Sequence, residues 1–344
     1  MIESPVIAFL FFIFGICIGS FLNVCIVRWP HEESVVKPGS HCRSCKKPIA
    51  WHDNIPVLSY ILLGGKCRYC HAKYSPRYAF IEFFTGVAFV LFYAHYGLDP
   101  LLVPYLFMLC CFIIATMVDF GHRIIPDEVS VGGLAFGLVF SAVLPAMHQI
   151  DHGTLNAGRW VMRILVATVI VAHLGEILLA RLRPAAKDDG EEDEPFEWLP
   201  WLIVLGAMVF DLIMDFGIDA VEAAVPASWV PHLLSLDAAC IGFVVGGGSI
   251  YAMGVLGDFL FRKDSMGGGD VKLLAMVGAF LGWKSSILAF FIAPFFGAVF
   301  GLLQKLKTND TTIAYGPFLV LGSLIALFFE TDIINQILSL YGLR

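Results

Sequence analysis

The sequence predicts an all-α polytopic membrane protein, and three observations support this class: a high apolar content, few charges and long uncharged runs. Of the 344 residues, 58% are hydrophobic and 15% are charged, whereas soluble globular domains carry about 25% charged residues. Residues 6–27 contain no charged side chain, and about 20 apolar residues are enough for a helix to cross a bilayer. The composition therefore excludes an ordinary soluble domain.

The first apolar run is expected to be a retained transmembrane helix. It is preceded by Glu3 rather than by Lys or Arg, and Arg28 follows it. A cleavable signal peptide begins with basic residues and has a shorter apolar core. Further spans are expected at residues 79–98, 101–118, 129–147, 161–180, 198–214, 238–256, 273–283, 287–303 and 315–329.

These runs predict about eight to ten transmembrane helices. The run at 273–283 has only 11 residues, which form about 16 Å of helix. This length is too short to cross the hydrocarbon core, so the sequence does not fix the ends of this span.

The distribution of positive charge predicts the orientation. If residues 28–78 are cytoplasmic, alternation of the spans places residues 119–128, 181–197, 259–272 and 304–314 on the same side. Together these segments hold 18 of the 22 Lys and Arg residues, as expected for cytoplasmic loops. The opposite side and span ends hold only Arg159, Arg163, Lys284 and Arg344.

Five segments follow from this arrangement: a first helix (1–27), a cytoplasmic zinc-binding loop (28–78), helices that include Asp119 (79–149), an inserted hydrophobic hairpin (150–236), and helices that include Asp270 (237–344). The net charge of −7 comes partly from the acidic run at 188–194. Such a run is usually solvated, and nothing in the charge pattern indicates a nucleic-acid partner.

Four of the nine cysteines form two Cys-x-x-Cys pairs, Cys42/Cys45 and Cys67/Cys70. Two such pairs at this separation are typical of a tetrahedral zinc site, and a reducing compartment disfavours disulfides. The loop has too little apolar content for a core, so we expect a structural zinc ion to stabilise it. A redox or iron–sulfur site is the alternative. The other cysteines lie in apolar runs, where free Cys behaves as a small buried hydrophobe.

Two aspartates lie at the edges of apolar runs: Asp119, and Asp270 after Gly267-Gly268-Gly269. Ionisable groups are costly there and are candidate functional residues. Two nearby carboxylates share one proton, so one can activate water while the other polarises a carbonyl. The glycines allow close approach of backbone or substrate. Helix capping by Asp270 or Asp127 and a proton- or cation-coupled transporter remain alternatives.

Together these motifs resemble the bacterial type IV prepilin peptidases, GxGD intramembrane aspartyl proteases that are also N-methyltransferases. The resemblance covers residues 15–86 almost continuously and resumes at 119–127 and 267–273, with fainter similarity in the C-terminal spans. It is carried by Gly19-Ser20-Phe21-Leu22-Asn23-Val24, His41-Cys42-Arg43-Ser44-Cys45, Asn54-Ile55-Pro56, Gly65-Lys66-Cys67-Arg68-Tyr69-Cys70, Arg77-Tyr78 with Glu82, Asp119 with Pro126-Asp127, and the Gly-Gly-Gly-Asp of 267–270.

The resemblance implies cleavage of the leader of prepilins or pseudopilins at the cytoplasmic face of the bacterial inner membrane. Methylation of the new N-terminus by S-adenosylmethionine would follow. The implied partners are these membrane-embedded substrates and the lipid bilayer. The candidate residues are Asp119 and Asp270 for catalysis; Asp127, Gly267, Gly269 and Lys272 in support; Gly65 and Glu82 at the methyl-donor site; and Cys42, Cys45, Cys67 and Cys70 as zinc ligands.

The sequence departs from the family in one respect. Asp119 and Asp270 are 151 residues apart, which is more than is usual, and the excess falls near residues 150–236. The two extra apolar runs there contain Arg163, Glu176 and Asp211, which we expect to pack on protein or at the interface. Two further alternatives are a presenilin-type protease, although its Pro-Ala-Leu element is absent, and a peptidase that has lost methyl transfer.

Overall fold

The computed structural model describes residues 4–148, 151–182, 198–261, 266–308 and 313–342. Within these ranges the fold is helical, and the regular elements follow the apolar runs of the sequence. The helices are α1 (Pro5–Arg28), α2 (Leu58–Leu62), α3 (Arg77–Tyr96), α4 (Leu102–His122), α5 (Asp127–Val143), α6 (His152–Leu182), α7 (Trp198–Phe216), α8 (Ile218–Ala224), α9 (Val230–Phe261), α10 (Gly268–Thr308) and α11 (Gly316–Leu340).

The predicted class, an all-α polytopic membrane protein, is confirmed. Among the described residues, seven helices are long and apolar enough to cross a membrane: α1, α3, α4, α6, α9, α10 and α11. The longest of these candidates, in α10, contains a break at Gly282, where φ is 81° and ψ is 177°. Gly accepts this backbone conformation because it has no Cβ. The break therefore falls near the end of the predicted span 273–283, and the predicted span 287–303 lies after it.

The chain divides into two compact units, Met1–Val129 and Ser130–Arg344. In the first unit, α1 and α3 approach closely through glycines. A Cβ on Gly15 would lie 2.7 Å from the Cα of Gly86, and one on Gly19 would lie 2.8 Å from the Cα of Glu82. Real Cβ atoms essentially never come so close, so this helix pair requires glycine at these positions.

In the second unit, α9 and α10 form the central pair, and α6, α7 and α11 pack against it. A Cβ on Gly278 would lie 1.9 Å from the carbonyl oxygen of Gly242, and one on Gly246 would lie 2.4 Å from that of Leu274. The backbones of α9 and the first part of α10 are therefore in direct contact. Small residues allow this close packing in membrane helices.

Three sequence expectations were wrong in detail. Helix α6 begins at His152 rather than near residue 161, so Arg159 is helical. Helix α4 continues to His122, four residues beyond the expected end at 118, so Asp119 lies buried within its last turn. Cys17, which was expected to be buried, is exposed on α1. The acidic run at 188–194 and the side chain of Glu176 lie outside the described residues.

Candidate metal centre and carboxylate positions

The two Cys-x-x-Cys segments fold into turns with the same hydrogen bonds. In the first, the Cys42 amide donates to Lys47 and the Lys46 amide donates to Cys42. In the second, the Cys67 amide donates to Ala72 and the His71 amide donates to Cys67. The residue after each second cysteine has positive φ, 59° at Lys46 and 57° at His71. The repeated turn aims both thiols of each pair toward one point.

The four predicted thiols meet in one cluster. Their Sγ atoms all lie within 4.8 Å of one another, with 3.7 Å between Cys42 and Cys70 and 4.0 Å between Cys45 and Cys67. Four sulfurs at about 2.3 Å from a tetrahedral zinc ion lie about 3.8 Å apart. The donor set and the spacing therefore fit a zinc ion without rearrangement.

The turns favour thiolate, the form that binds metals, at the first cysteine of each pair. At Cys70 the backbone N–H of Ala72 lowers the pKa, but burial and the neighbouring thiols together raise it to about 11. The backbone N–H of Cys45, together with that of Ser44, lowers the pKa of Cys42 to about 6, and the Tyr74 hydroxyl adds to this effect. Backbone N–H groups of Cys70 and Tyr69 lower the pKa of Cys67 in the same way. Groups that hold thiolates before a metal arrives reduce the cost of deprotonation on binding.

Glu82 of α3 is one of the residues that attach the loop to the membrane helices; Arg28 of α1, which donates to the Ser34 and Pro38 carbonyls, is another. The Glu82 carboxylate accepts a hydrogen bond of 2.7 Å from the Val57 amide and a second one from the Ser20 hydroxyl of α1. Val57 has φ 62° and ψ −50°, and the Leu58 amide bonds the Pro56 carbonyl at 2.6 Å across it. A γ-turn of this hand is strained, above all at a β-branched residue. Glu82 therefore holds a strained turn between the two cysteine pairs.

Gly65 has a structural requirement of its own. Its φ is +65°, and a Cβ there would lie 2.8 Å from the ring of Tyr60. Tyr60 lies in α2, the helix that begins directly after Val57. The two residues proposed for the methyl-donor site therefore contact the same short segment, 57–62: Glu82 at its first residue, Val57, and Gly65 at Tyr60 in its middle.

Asp119 belongs to the first unit and lies in the last turn of α4. Its side chain is 6% exposed, and its carbonyl accepts the amide of Arg123, which ends the helix with φ 58°. A carboxylate buried in a helix that is otherwise apolar is costly. Asp127 follows as the first residue of α5, which matches its expected position at a helix start.

Asp270 belongs to the second unit and lies in the first turn of α10. Its amide bonds the Gly267 carbonyl at 3.2 Å, and a Cβ on Gly267 would lie 3.6 Å from its carboxylate. The carboxylate therefore folds back over the glycine segment, while Gly268 faces open space. Gly269 and Lys272 are helical residues of the same two turns. A helix N-terminus favours a negative charge at this position.

Tyr315 is a neighbour of Asp270 that the sequence did not indicate. Burial, and secondarily the negative charge of Asp270, raise the pKa of the Tyr315 phenol to about 12. Tyr315 directly precedes α11, 45 residues after Asp270 in the sequence. A tyrosine before Gly-Pro is an ordinary helix start, so only the packing of α11 shows its proximity to the carboxylate.

The fold and these sites define a multi-pass helical membrane protein with a four-thiol metal-binding loop and an aspartate at the glycine-rich start of a membrane helix. Comparison with known families gives two matches: the bacterial peptidase A24 N-terminal domain over residues 13–96, and the type IV leader peptidase family over residues 195–302. The first covers the cysteine loop and the second covers Asp270. The chain belongs to the type IV leader peptidase family.

Characterised relatives agree with this assignment. The chain is 33% identical over 189 residues to a Klebsiella pneumoniae protein named prepilin leader peptidase/N-methyltransferase, covering 50% of this chain and 81% of that protein. It is 28% identical over 306 residues to a protein of the same name from Myxococcus xanthus, covering 89% of this chain and 65% of that protein. An Escherichia coli type 4 prepilin-like proteins leader peptide-processing enzyme is 25% identical over 335 residues, covering 92% and 91%. No solved structure matches.

Proposed function

We propose that this chain cleaves the N-terminal leader of prepilins or pseudopilins at the cytoplasmic face of the inner membrane and then methylates the new N-terminus. The observation that carries the proposal is the combination of the four-thiol loop with Asp270 on its glycine segment, in a chain of the leader peptidase family. The relatives bear both activities in their names. The comparisons give the alternative of a transporter no support.

We assign cleavage to Asp119 and Asp270 acting as one catalytic pair. The ionised carboxylate accepts a proton from water while the water oxygen attacks the scissile carbonyl carbon. The protonated carboxyl donates its proton to the carbonyl oxygen, which gives a tetrahedral gem-diol. As the C–N bond breaks, the carboxyl that took the water proton passes it to the departing nitrogen, and the other carboxylate takes a proton back from the gem-diol. The amine leaves uncharged, and the pair again holds one proton. The glycines at 267–269 provide backbone on which an extended substrate can form hydrogen bonds. Asp127 and Lys272, in the adjoining helix turns, would support the two segments.

Substitution of the two aspartates tests this assignment. Asp119→Asn and Asp270→Asn should each lower the kcat for cleavage of a prepilin by at least about 10³-fold, since neither amide can carry the shared proton. Asp332→Asn, an exposed residue of α11, is the matched control and should cleave normally. Turnover is measured with purified enzyme and a membrane-inserted prepilin. Normal cleavage by either variant would show that the pair is not catalytic.

We assign the metal of the cysteine loop as structural zinc held by Cys42, Cys45, Cys67 and Cys70. Four thiolates close a tetrahedral site and leave no open position for substrate or water. The support is the match between the sulfur separations and zinc geometry, together with the scarcity of apolar core in the loop. Metal analysis of the purified protein should give one zinc per chain, and iron in its place would contradict the assignment.

For methyl transfer we propose S-adenosylmethionine as donor and Glu82 with Gly65 as part of its site. S-adenosylmethionine supplies an electrophilic methyl group to the uncharged amine. The Glu82 carboxylate would accept hydrogen bonds from the ribose hydroxyls, as acidic side chains do in other nucleotide sites. Glu82→Gln should reduce methylation while leaving cleavage intact, and mass analysis of the processed N-terminus measures both. Equal loss of the two activities would indicate that Glu82 serves the fold only.

The proposed cytoplasmic active side rests on the positive charges of the loops. The cysteine loop and the segments around Asp119 and Asp270 fall on the side richest in Lys and Arg. Membrane-impermeant thiol labelling of Cys70, which is exposed, in metal-stripped protein tests this. Labelling in inverted vesicles but not in right-side-out spheroplasts is expected, and the reverse pattern would overturn the orientation.

A further inference from the structure

A buried ion network joins the inserted helices α6 and α7 to α9. The guanidinium of Arg159 in α6 donates through three nitrogens to three carboxylates: to Asp211 at 2.9 Å, to Asp215 at 3.0 Å and to Asp237 at 2.6 Å. Asp211 and Asp215 lie one turn apart on α7, whereas Asp237 lies on α9. Arg159 therefore bonds two helices at once, and its side chain is only 8% exposed.

Arg163, one turn further along α6, makes a different set of contacts. It bonds Asp215 at 2.6 Å and Asp211 at 3.4 Å, both of which lie on α7. Asp237 has an exposed fraction of 0%, and its second oxygen has no hydrogen-bond partner among the described residues. Within the described structure, the attachment of this carboxylate therefore depends on Arg159, and Arg163 provides a natural comparison.

A second attachment joins α6 to α10 beside the Gly282 break. The indole of Trp283 donates to the Thr154 carbonyl at 3.1 Å, and the ammonium of Lys284 donates to the Thr154 hydroxyl at 2.9 Å. A Cβ on Gly158 would lie 2.7 Å from the Trp283 ring and 3.0 Å from Ile241 of α9. Helix α6 therefore lies directly against α9 and α10 at this end.

Helix α10 carries this contact toward Asp270. The 13 residues from Asp270 to Gly282 form a rod of about 18 Å, and this rod contacts α9 backbone to backbone through Gly242 and Gly278. Asp270 lies at one end of the rod, and the α6 contacts to Trp283 and Lys284 begin directly after its other end. A displacement of α6 there would bear on the position of the carboxylate.

We propose that Arg159 and Gly158 are positioning residues for the cleavage reaction: through α9 and the Gly282 end of α10, the inserted helix α6 sets the position of Asp270. This inference rests on the proposed role of Asp270. The inserted hairpin, which we call the brace, then holds α10, the helix that carries Asp270, in position. An error of about 1 Å in the position of a catalytic group lowers the rate about 10²-fold. Loss of the brace should therefore lower kcat and leave KM unchanged.

A methyl group added at the contact is the first test. Gly158→Ala removes no charge and pushes α6 away from Trp283, whereas Gly206→Ala on α7 adds the same methyl where nothing lies within 4 Å. Gly158→Ala should lower kcat for prepilin cleavage about tenfold with KM unchanged and with the pH profile of kcat shifted. Gly206→Ala should match the wild type. Equal behaviour of the two variants would overturn the proposal.

Removal of the α6–α9 ion pair is the second test. Arg159→Ala with Asp237→Ala removes both partners, so no unpaired buried charge remains on α9, whereas Arg163→Ala loosens only α6 from α7. The folded fraction of each variant is determined by thermal unfolding in detergent, and kcat is expressed per folded molecule. The double variant should show the same lowered kcat and shifted pH profile as Gly158→Ala, and Arg163→Ala should show neither.

The outcomes separate the brace from the catalytic assignment. The double variant and Arg163→Ala could show the same decrease in kcat and an unchanged pH profile. In that case the network serves folding only, and the positioning role is wrong. Wild-type kinetics in the double variant would also overturn it. Asp270→Asn is measured in parallel: if it still cleaves, the proposed function fails, whatever the brace variants do.

Discussion

The cysteine loop and the inserted pair α6–α7 are held in place by opposite kinds of chemistry. The loop brings together four thiols from two polar turns, and it is attached to the helices by hydrogen bonds from Arg28 of α1 and to Glu82 of α3. The inserted helices instead use a guanidinium bonded to three carboxylates within the apolar bundle. The loop buries little apolar surface of its own, so the proposed metal would have to stabilise it, whereas the helices bury apolar surface and use charge pairs that link them.

The two regions are therefore expected to tolerate different treatments. A metal site can be emptied and refilled from solution, so the loop should unfold and refold as a separate event. A buried ion pair between side chains contains no metal, so a chelator does not affect it. Loss of one partner leaves an uncompensated buried charge. The two regions should therefore respond to different treatments.

The largest effect is expected from loss of the metal. Cys42→Ser, or a strong chelator, should unfold the loop completely, because structural zinc supplies about 10–16 kcal/mol of apparent binding free energy. Limited proteolysis and zinc content measure this. Cys17→Ser is the matched control, since Cys17 is an exposed cysteine of α1 outside the cluster. If the chelator also unfolds α6 and α9, the loop and the inserted helices do not respond to different treatments.

A smaller effect is expected from Arg159→Met, which leaves Asp237 buried and unpaired. Breaking a buried ion pair in this way costs about 3–5 kcal/mol, so thermal unfolding in detergent should occur at a clearly lower temperature, with or without chelator. Arg163→Met should lower it less, because the Arg163 side chain is 28% exposed and does not bond α9. A larger effect of Arg163→Met would show that the link between α6 and α7 matters more than the link to α9.

The smallest effect is expected at the loop surface, where Arg68 donates two hydrogen bonds to Asp53. Arg68 lowers the pKa of Asp53, so the pair stabilises the loop above the ordinary carboxyl pKa of about 4. This stabilisation is lost as the pH falls through the lower pKa of the folded state. Arg68→Met should therefore release zinc at a slightly higher pH during acid titration.

The matched control for Arg68→Met is Arg43→Met, which removes a positive charge from the other Cys-x-x-Cys turn. It should shift zinc release less than Arg68→Met if the ion pair is responsible. Equal shifts would mean that general charge near the thiolates, rather than the Asp53 pair, stabilises the site.

Parts of this description could be predicted because they depend on neighbours in the sequence. The run at residues 6–27 is long enough to span a bilayer wherever it packs, and α1 covers it. The turn at each Cys-x-x-Cys is local, so the pairing of Cys42/Cys45 with Cys67/Cys70 followed from spacing and ligand chemistry. The start of α10 before Leu273 was not predicted, because residues 268–272 contain two charges and two glycines that lower apparent hydropathy.

The sequence alone determined the membrane class, the four-thiol cluster and the candidacy of Asp119 and Asp270, because apolar run length, ligand spacing and misplaced charge are all local properties. The contacts of Arg159 with carboxylates 52 and 78 residues away become visible only in the folded chain. The tertiary structure also placed Tyr315 near Asp270 and placed the α10 break at Gly282. These features arise where helices distant in sequence pack together, and no local pattern in the chain records which helices those are.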